Sequence, residues 1–134
     1  SLRHRMVELG RSCVHPDHRH GGVIMALWTA LGEFMVRNNL DTMIGCASIP
    51  MMQGGVFNGD VAASIWRQVR EQYMAPIEFQ VRPRLALPLD NLNDRLPVEL
   101  GAPAWDPDFN SADLPMMMRF ADLHPRYRKH FLGA

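Results

Sequence analysis

The residues best suited to chemistry lie together near the start of this 134-residue chain, in Val7 to Gly22, VELGRSCVHPDHRHGG. An apolar run ends at His15-Pro16. Arg19, His20, Gly21, Gly22 and Val23 then lead into a segment with apolar periodicity. If that segment is a helix, the N–H groups of its first turn have no partner of their own, and the helix dipole adds partial positive charge there. Glycines let a phosphate approach the backbone closely, and Arg19 and His20 could add charge. The same layout occurs at strand–helix junctions that bind nothing, so spacing alone leaves phosphate binding and a plain connection both open.

Other groups have rival readings. His15, His18 and His20 form H-x2-H-x-H, with His4 nearby in sequence, and such a cluster could bind zinc. A strand-to-helix turn seldom points three rings inward, however, and no other nearby ligand set has zinc-site spacing, so no metal is expected. Cys13 could be a nucleophile, but spacing places no histidine to activate it, and a strand cysteine is usually a small core residue. The ten methionines, including Met51-Met52 and Met116-Met117-Met118, suit either the lining of an apolar tunnel or ordinary gap filling. Arg67 and Arg70 on one helix, and Arg126, Arg128 and Lys129 near the end, suit either docking of an acidic partner or plain solvation.

These residues need elements to hold them. Arg5 to Val14 alternates loosely and reads as a strand that ends in a turn at His15-Pro16. Beyond Gly21-Gly22, the residues Val23, Ile24, Leu27, Trp28, Leu31, Phe34 and Met35 fall on one helical face, and Asn38-Asn39 closes the helix. Asp41 to Ser48, DTMIGCAS, reads as a buried strand ended by Pro50. Met51 to Gly59 reads as a loop rich in Gly and Met. Asp60 is the expected cap of a second helix, with Val61, Ala62, Ile65, Trp66 and Val69 inward and a break at Ala75-Pro76. Ile77 to Leu87 alternates and reads as a strand, with Pro83 and Pro88 marking an edge or bend. Asp90 to Pro107 reads as loop or short helix, Leu114 to Phe120 as a last strand, and Pro125 to Phe131 as a short terminal helix. This order predicts one α/β domain over residues 1–134, with a mixed sheet and a right-handed first crossover.

Composition narrows the classes. With 47% apolar and 21% charged residues the chain suits a soluble globular protein rather than a disordered one. A formal net charge of zero offers no global field toward nucleic acid or an anionic membrane. Cys13 and Cys46 are too few for a disulfide framework and read as reduced, buried thiols of a cytoplasmic protein. No apolar run reaches the length of a membrane span, and SLRHRMVELG lacks the apolar centre of a signal peptide. The chain begins abruptly on strand-like sequence, so it reads as a fragment.

Set beside known families, Val14-x-Pro16-x-x-Arg19-x-x-Gly22 resembles the acyl-thioester signature of the GNAT superfamily, a strand followed by V-x-P-x-x-R-x-x-G-x-G/A and a helix. Ile24 departs from it where a small residue is usual. A branched side chain there would crowd the pyrophosphate of coenzyme A and leaves room for the phosphopantetheine of acyl carrier protein (ACP). Three further stretches follow in order: Glu8 to Val14 with Leu27-Trp28, Ile44 to Ser48 (IGCAS), and Trp105 to Asp113 (WDPDFNSAD). Together they look like the ornithine–acyl-ACP N-acyltransferase family, whose relatives are often labelled hemolysin-like. The match runs from Glu8 to Leu132. The Glu-x-x-Arg strand is shared with acyl-homoserine-lactone synthases. Family members also carry an N-terminal half, and usually a longer segment between the equivalents of Leu100 and Gly101, so residues are expected to be missing at that join.

The resemblance implies a GNAT-like α/β fold: a mixed, mostly antiparallel sheet flanked by helices, with the N-terminal part of the fold absent. It implies transfer of a fatty acyl group from acyl-ACP, or acyl-CoA, to an amino-acid amine such as ornithine in lipid biosynthesis. Acyl-phosphopantetheine or acyl-CoA would be a co-substrate, with no tightly bound cofactor. The amine would attack the thioester directly while backbone N–H groups at Cys13 and Val14 polarise the carbonyl. Arg19, His20, Gly21, Gly22 and Val23 would hold the donor's phosphate end. Glu8 is the candidate general base or amine anchor. Arg11 would hold Glu8 or grip an acceptor carboxylate in bidentate fashion, and a salt bridge from Glu8 to Arg11 or Arg5 is the plainer alternative. Trp66 stands near the place where GNAT enzymes often keep a tyrosine acid, with Tyr73 two turns on, so the general acid is unassigned. Ser48, Asn110 and Asp113 are candidate acceptor contacts. For the last two, turn shaping and capping is the bland reading.

The implied partners are ACP, a small amino-acid acceptor, peripheral contact with the inner face of the cell membrane and a second copy of the chain, with no nucleic acid. Two alternatives stand beside this reading. One is a truncated, non-catalytic domain that binds an acyl carrier or a partner chain. The other is an acyl-homoserine-lactone-synthase-like enzyme or an N-acyl amino acid synthase.

Overall fold

The computed structural model describes residues 1–87 and 103–132. The Leu100–Gly101 join lies outside the described residues, as does most of the expected 90–107 loop. The regular elements are β1 (Met6–Leu9), α1 (Gly22–Arg37), β2 (Thr42–Pro50), β3 (Met52–Gln53), β4 (Val56–Phe57), α2 (Asp60–Tyr73), β5 (Ala104–Asp106), β6 (Ser111–Arg119) and α3 (Pro125–Leu132).

Four strands form a sheet in the order β1-β2-β6-β5, while β3 and β4 pair with each other. β1 runs parallel to β2, from Met6 opposite Thr42 to Leu9 opposite Gly45, the pairing that a helical crossover through α1 permits. β5 is antiparallel to β6. The carbonyl of Asp41, just before β2, accepts from Phe120 N–H at 2.9 Å, and that of Asn110, just before β6, accepts from Met51 N–H at 3.0 Å. The start of each strand thus meets the end of the other, so β2 and β6 are antiparallel. The mixed, mostly antiparallel sheet expected from the sequence is what forms.

The chain makes two compact units, Ser1–Gly45 with Met117–Ala134, and Cys46–Met116. In the first, β1 is shorter than the predicted Arg5–Val14 strand, because Gly10 and a left-handed Arg11 (φ 54°) leave the extended conformation. The start of β1 is tied to β2 by an Arg5–Asp41 ion pair, and the Arg5 carbonyl accepts from the N–H groups of Asp41 and Thr42. Thr42 is buried, and its hydroxyl donates to Asp41 Oδ1 at 3.0 Å, which satisfies the buried polar group. α1 ends as expected: Asn38 bonds the Phe34 carbonyl through backbone and side chain, and Asn39 takes φ 55°, a conformation asparagine tolerates. Its buried stripe is narrower than periodicity predicts. Met35 and Gly32 are buried, whereas Leu27 and Phe34 are about half exposed at 49% and 50%. Periodicity gives the direction of an apolar face, not the width of what covers it.

In the second unit, Ile49, Met51, Ala62 and Ala112 form a core joined by Ile65, Leu87 and Trp105. Trp66 and Leu114, with Val69, form another cluster. The cap position is Gly59 rather than the expected Asp60, and Asn58 Oδ1 accepts from Asp60 N–H at 2.7 Å. Asp60 is itself the first helical residue. Val61, expected inward, is exposed. The predicted Met51–Gly59 loop is a hairpin, with Gly54 (φ 56°) and Gly55 (φ 83°) forming its two-residue turn. Positive φ at both positions suits the twist of the flanking strands, and glycine adopts it without steric cost.

The predicted Ile77–Leu87 strand is not formed. Ile77–Phe79 is a single 3-10 turn, and Ala86 alone bridges, to Ala104. Ile77 and Val81 are exposed. Alternation makes a strand only where a partner edge exists, and Pro76 and Pro83 lack the N–H a ladder needs. Cys13 and Cys46 are exposed thiols rather than buried ones. Cys13 follows the early end of β1, and Cys46 sits where the outer part of β2 is open. No helix among the described residues is long and apolar enough to cross a membrane.

Candidate functional site

The candidate donor site is built where β1 ends. Its last rung pairs Leu9 with Gly45, and a Cβ on Gly45 would stand 2.8 Å from the Leu9 carbonyl oxygen. Only glycine lets the two strands close to this distance. After that rung the chain turns out through Gly10 and Arg11. Arg11 holds a backbone conformation that costs a non-glycine residue about 1–2 kcal/mol. Glu8 stays on β1 and is exposed, while Arg11 lies beyond it and is also exposed. Among the described residues neither side chain has a hydrogen bond or ion pair, because Arg5 pairs with Asp41. The Glu8 salt bridge weighed from the sequence is therefore not formed.

The connection to α1 is held by short-range bonds. Arg19 Nε donates to the Val14 carbonyl at 2.9 Å, which folds the loop back on itself. Pro16–His18 makes a 3-10 turn whose start is capped by His15, the Nδ1 of which accepts from Asp17 N–H at 3.4 Å. The rings of His15 and His18 lie 5.9 Å apart and those of His18 and His20 lie 6.4 Å apart, all exposed. Among the described residues they form no metal-ligand group. No protein acceptor takes the backbone N–H of Cys13 or Val14 there.

The start of α1 is uncapped. Gly21 occupies the cap position at φ 92° and has no side chain to offer. The first helical bond runs from Met25 N–H to the Gly21 carbonyl at 3.2 Å. The amides of Gly22, Val23 and Ile24 therefore have no helical acceptor. Gly22 is not demanded by packing, because a Cβ there would meet only the His20 ring at 3.8 and 3.9 Å. An open cavity of about 280 Å³ lies at this point, lined by Val14, His18, Arg19, Gly21 and Ile24. Ile24, 37% exposed, forms an apolar part of its wall. Three open amides, the positive end of a 16-residue helix and the Arg19 guanidinium together suit an anion.

Ser48, Asn110 and Asp113 belong to the second unit. Ser48 is exposed on β2. Asn110 (φ 50°) closes the β5–β6 turn, in which Asp106 Oδ1 accepts from the N–H groups of Asp108 and Phe109 at 3.0 and 3.2 Å. Asp113 accepts from the Ser111 hydroxyl at 3.0 Å. Asn110 thus takes part in that turn, while Ser111, the first residue of β6, is bonded to Asp113. Trp66 is 2% exposed, and its Nε1–H has no partner among the described residues. Tyr73 is 75% exposed. The sequence reading passed over Gly45. A glycine inside the apolar run DTMIGCAS was the available signal, since glycine in a strand often marks a close backbone approach.

Comparison with known proteins adds the following. The acetyltransferase (GNAT) domain model matches residues 1–29, the stretch that holds β1, the glycine turn and the first half of α1. An L-ornithine N(alpha)-acyltransferase of Agrobacterium fabrum is 30% identical over 148 aligned positions, covering 96% of this chain and 50% of that protein. A protein of the same name from Rhodobacter capsulatus is 48% identical over 44 residues, 33% of this chain and 17% of its own length. One from Brucella abortus is 43% identical over 44 residues, 33% of this chain and 16% of its own length. This chain spans about half the length of the Agrobacterium relative. No solved structure matches.

Proposed function

We propose, from the premise that this chain belongs to the GNAT superfamily and is related to the L-ornithine N(alpha)-acyltransferases, that it carries the acyl-donor site of an N-acyltransferase. The reaction is transfer of a fatty acyl group from a phosphopantetheine thioester to the amine of an amino acid such as ornithine, a step in making a lipid. The observation that carries this reading is the uncapped start of α1, with the free amides of Gly22 and Val23 beside Arg19 and the open cavity. ACP is the favoured carrier over coenzyme A, because Ile24 narrows the cavity and a single phosphodiester needs less room than a pyrophosphate.

The chemistry follows from these positions. The donor phosphate lies against the helix start, with His20 and Arg19 adding charge. Among the described residues no acceptor takes the N–H groups of Cys13 and Val14, and in this reading they polarise the thioester carbonyl. Glu8 takes a proton from the acceptor ammonium, and the amine nitrogen then attacks the carbonyl carbon. The C–N bond forms, the C–S bond breaks, and the sulfur leaves as a thiolate that takes up the second proton lost by the nitrogen. Among the described residues Glu8 makes no ion pair and is exposed, which leaves its carboxylate open to an acceptor ammonium. Arg11, equally unpaired, is the candidate partner for an acceptor carboxylate. Ser48, Asn110 and Asp113 are acceptor candidates in the second unit.

An acyl-transfer assay with acyl-ACP and acyl-CoA across a panel of amines, read by mass spectrometry, tests this reading. An acylated amino acid formed from acyl-ACP is the expected product. Binding of an acyl carrier with no product from any donor would point instead to a non-catalytic carrier-binding domain.

A further inference from the structure

The formal charge of zero conceals a separation. Ser1–Gly45 with Met117–Ala134 holds nine lysines and arginines against five carboxylates, together with all six histidines, while Cys46–Met116 holds five against nine. Within the first unit the excess is local. Glu33, Asp41 and Asp122 are paired with Arg37, Arg5 and Arg119. Glu8, Arg11, Asp17 and Arg19 belong to the end of β1 and the loop before α1. Arg3, Arg126, Arg128 and Lys129 are left, and all four are exposed. They stand at one end of the unit, where β1 starts and α1 finishes. There the Arg5 carbonyl accepts from Asp41 and Thr42, the Asp41 carbonyl accepts from Phe120 N–H at 2.9 Å, and the Phe120 carbonyl accepts from Arg128 Nη2 at 3.4 Å. Those bonds tie the Leu2–His4 turn, the start of β2 and α3 together.

Arg126 and Lys129, three residues apart, share one side of α3. Among the described residues neither they nor Arg3 make an ion pair or a side-chain hydrogen bond. Cations without a carboxylate of their own attract an anionic partner. Two features identify it. The first is size. α3 has eight residues and is about 12 Å long, too small to supply the roughly 800 Å² that each side of a stable protein interface contributes. A bilayer needs no matching shape, since anionic headgroups lie under every part of the cluster and each lysine or arginine adds its own attraction. The second is Tyr127, which stands between Arg126 and Arg128 in sequence and is 49% exposed. An apolar ring with a polar tip suits the headgroup level of a membrane.

We infer that α3, with Arg3 at the same end of the unit, docks the chain on an anionic lipid bilayer. This goes beyond the proposed acyl transfer and does not depend on it. The test is flotation of the chain with phosphatidylcholine vesicles, with and without anionic phosphatidylglycerol and at low and high salt, with thermal unfolding followed in parallel. The expected result is partition onto the phosphatidylglycerol vesicles that salt weakens by screening, and none onto phosphatidylcholine alone. An Arg126→Gln, Lys129→Gln double variant should lose it by about tenfold or more at an unchanged Tm. Arg82→Gln with Arg84→Gln removes the same charge from the other unit and should leave it intact. The inference is overturned by any of four results: no partition onto anionic vesicles, whether or not an acidic acyl carrier protein binds instead; equal partition of the Arg126, Lys129 variant; equal weakening by the two double variants; or binding to phosphatidylcholine alone that salt does not change.

Discussion

Replacing Gly45 by alanine probes the rung at which β1 and β2 make their last pair. The new Cβ would lie 2.8 Å from the Leu9 carbonyl oxygen. The obstructing atom is backbone and cannot rotate aside, so the strands must separate by several tenths of an ångström. Overpacking of this kind costs about 1–3 kcal/mol. Alanine also lowers the entropy of the unfolded chain, which returns about 0.4–1 kcal/mol where the native conformation is unstrained. The expected net loss is about 1–2 kcal/mol. At about 3–5 °C per kcal/mol for a chain of this size, Tm should fall by roughly 3–10 °C. Gly10→Ala is the matched control, one residue beyond Leu9, because a Cβ there meets nothing within 4 Å. It should be neutral or stabilising by up to about 1 kcal/mol. Thermal and urea unfolding of both variants beside the parent chain measures the difference. If Gly45→Ala is as stable as Gly10→Ala, the close approach of the strands does not explain the glycine, and the reasoning fails.

Three further outcomes are expected. Glu8→Gln should lower acyl transfer by about 10²–10⁴-fold with Tm unchanged, since Glu8 makes no ion pair among the described residues. Unchanged turnover with bound acceptor would remove it as the base. Gly21→Ala forces a side chain into φ 92° and should cost about 1–2 kcal/mol while weakening donor binding, both readable by thermal shift with and without acyl-ACP. Equal stability would show that the turn relaxes freely. Trp66→Phe removes a buried N–H that lacks a partner among the described residues. Because the desolvation cost of that group, about 1–3 kcal/mol, goes with it, the net loss in urea unfolding should stay below about 1 kcal/mol. A loss above about 3 kcal/mol would mean that the indole N–H is satisfied in solution.

Much of the architecture was legible because it is written in local terms. α1, β2 and α3 follow from periodicity and their terminating residues, and they form close to where those signals stand. The turn before α1 was legible too. Gly21 at the cap position is a backbone requirement, and a residue without a side chain leaves the amides behind it open wherever the helix packs. The two-residue turn at Gly54-Gly55 was equally local, but its flanking strands of two residues are too short to carry an alternation.

The expectations that failed each needed a partner from elsewhere in the chain. Ile77 to Leu87 alternates like a strand, yet among the described residues it pairs with no edge beyond the bridge at Ala86. Leu27 and Phe34 point from the expected face of α1 but lie where nothing in their unit covers them. Cys13 is exposed because β1 stops at Leu9, and β1 stops because Arg11 turns left-handed. Sequence alone determined where the chain turns, which helix start is bare and which residues accompany it, for these depend on side-chain type and on neighbours within a turn. Tertiary structure alone decided that Arg5 pairs with Asp41 and leaves Glu8 unpaired, and that Gly45 admits the Leu9 carbonyl. Both depend on which strands meet and in what register, and that is set by the sum of many distant contacts rather than by any residue's own preference.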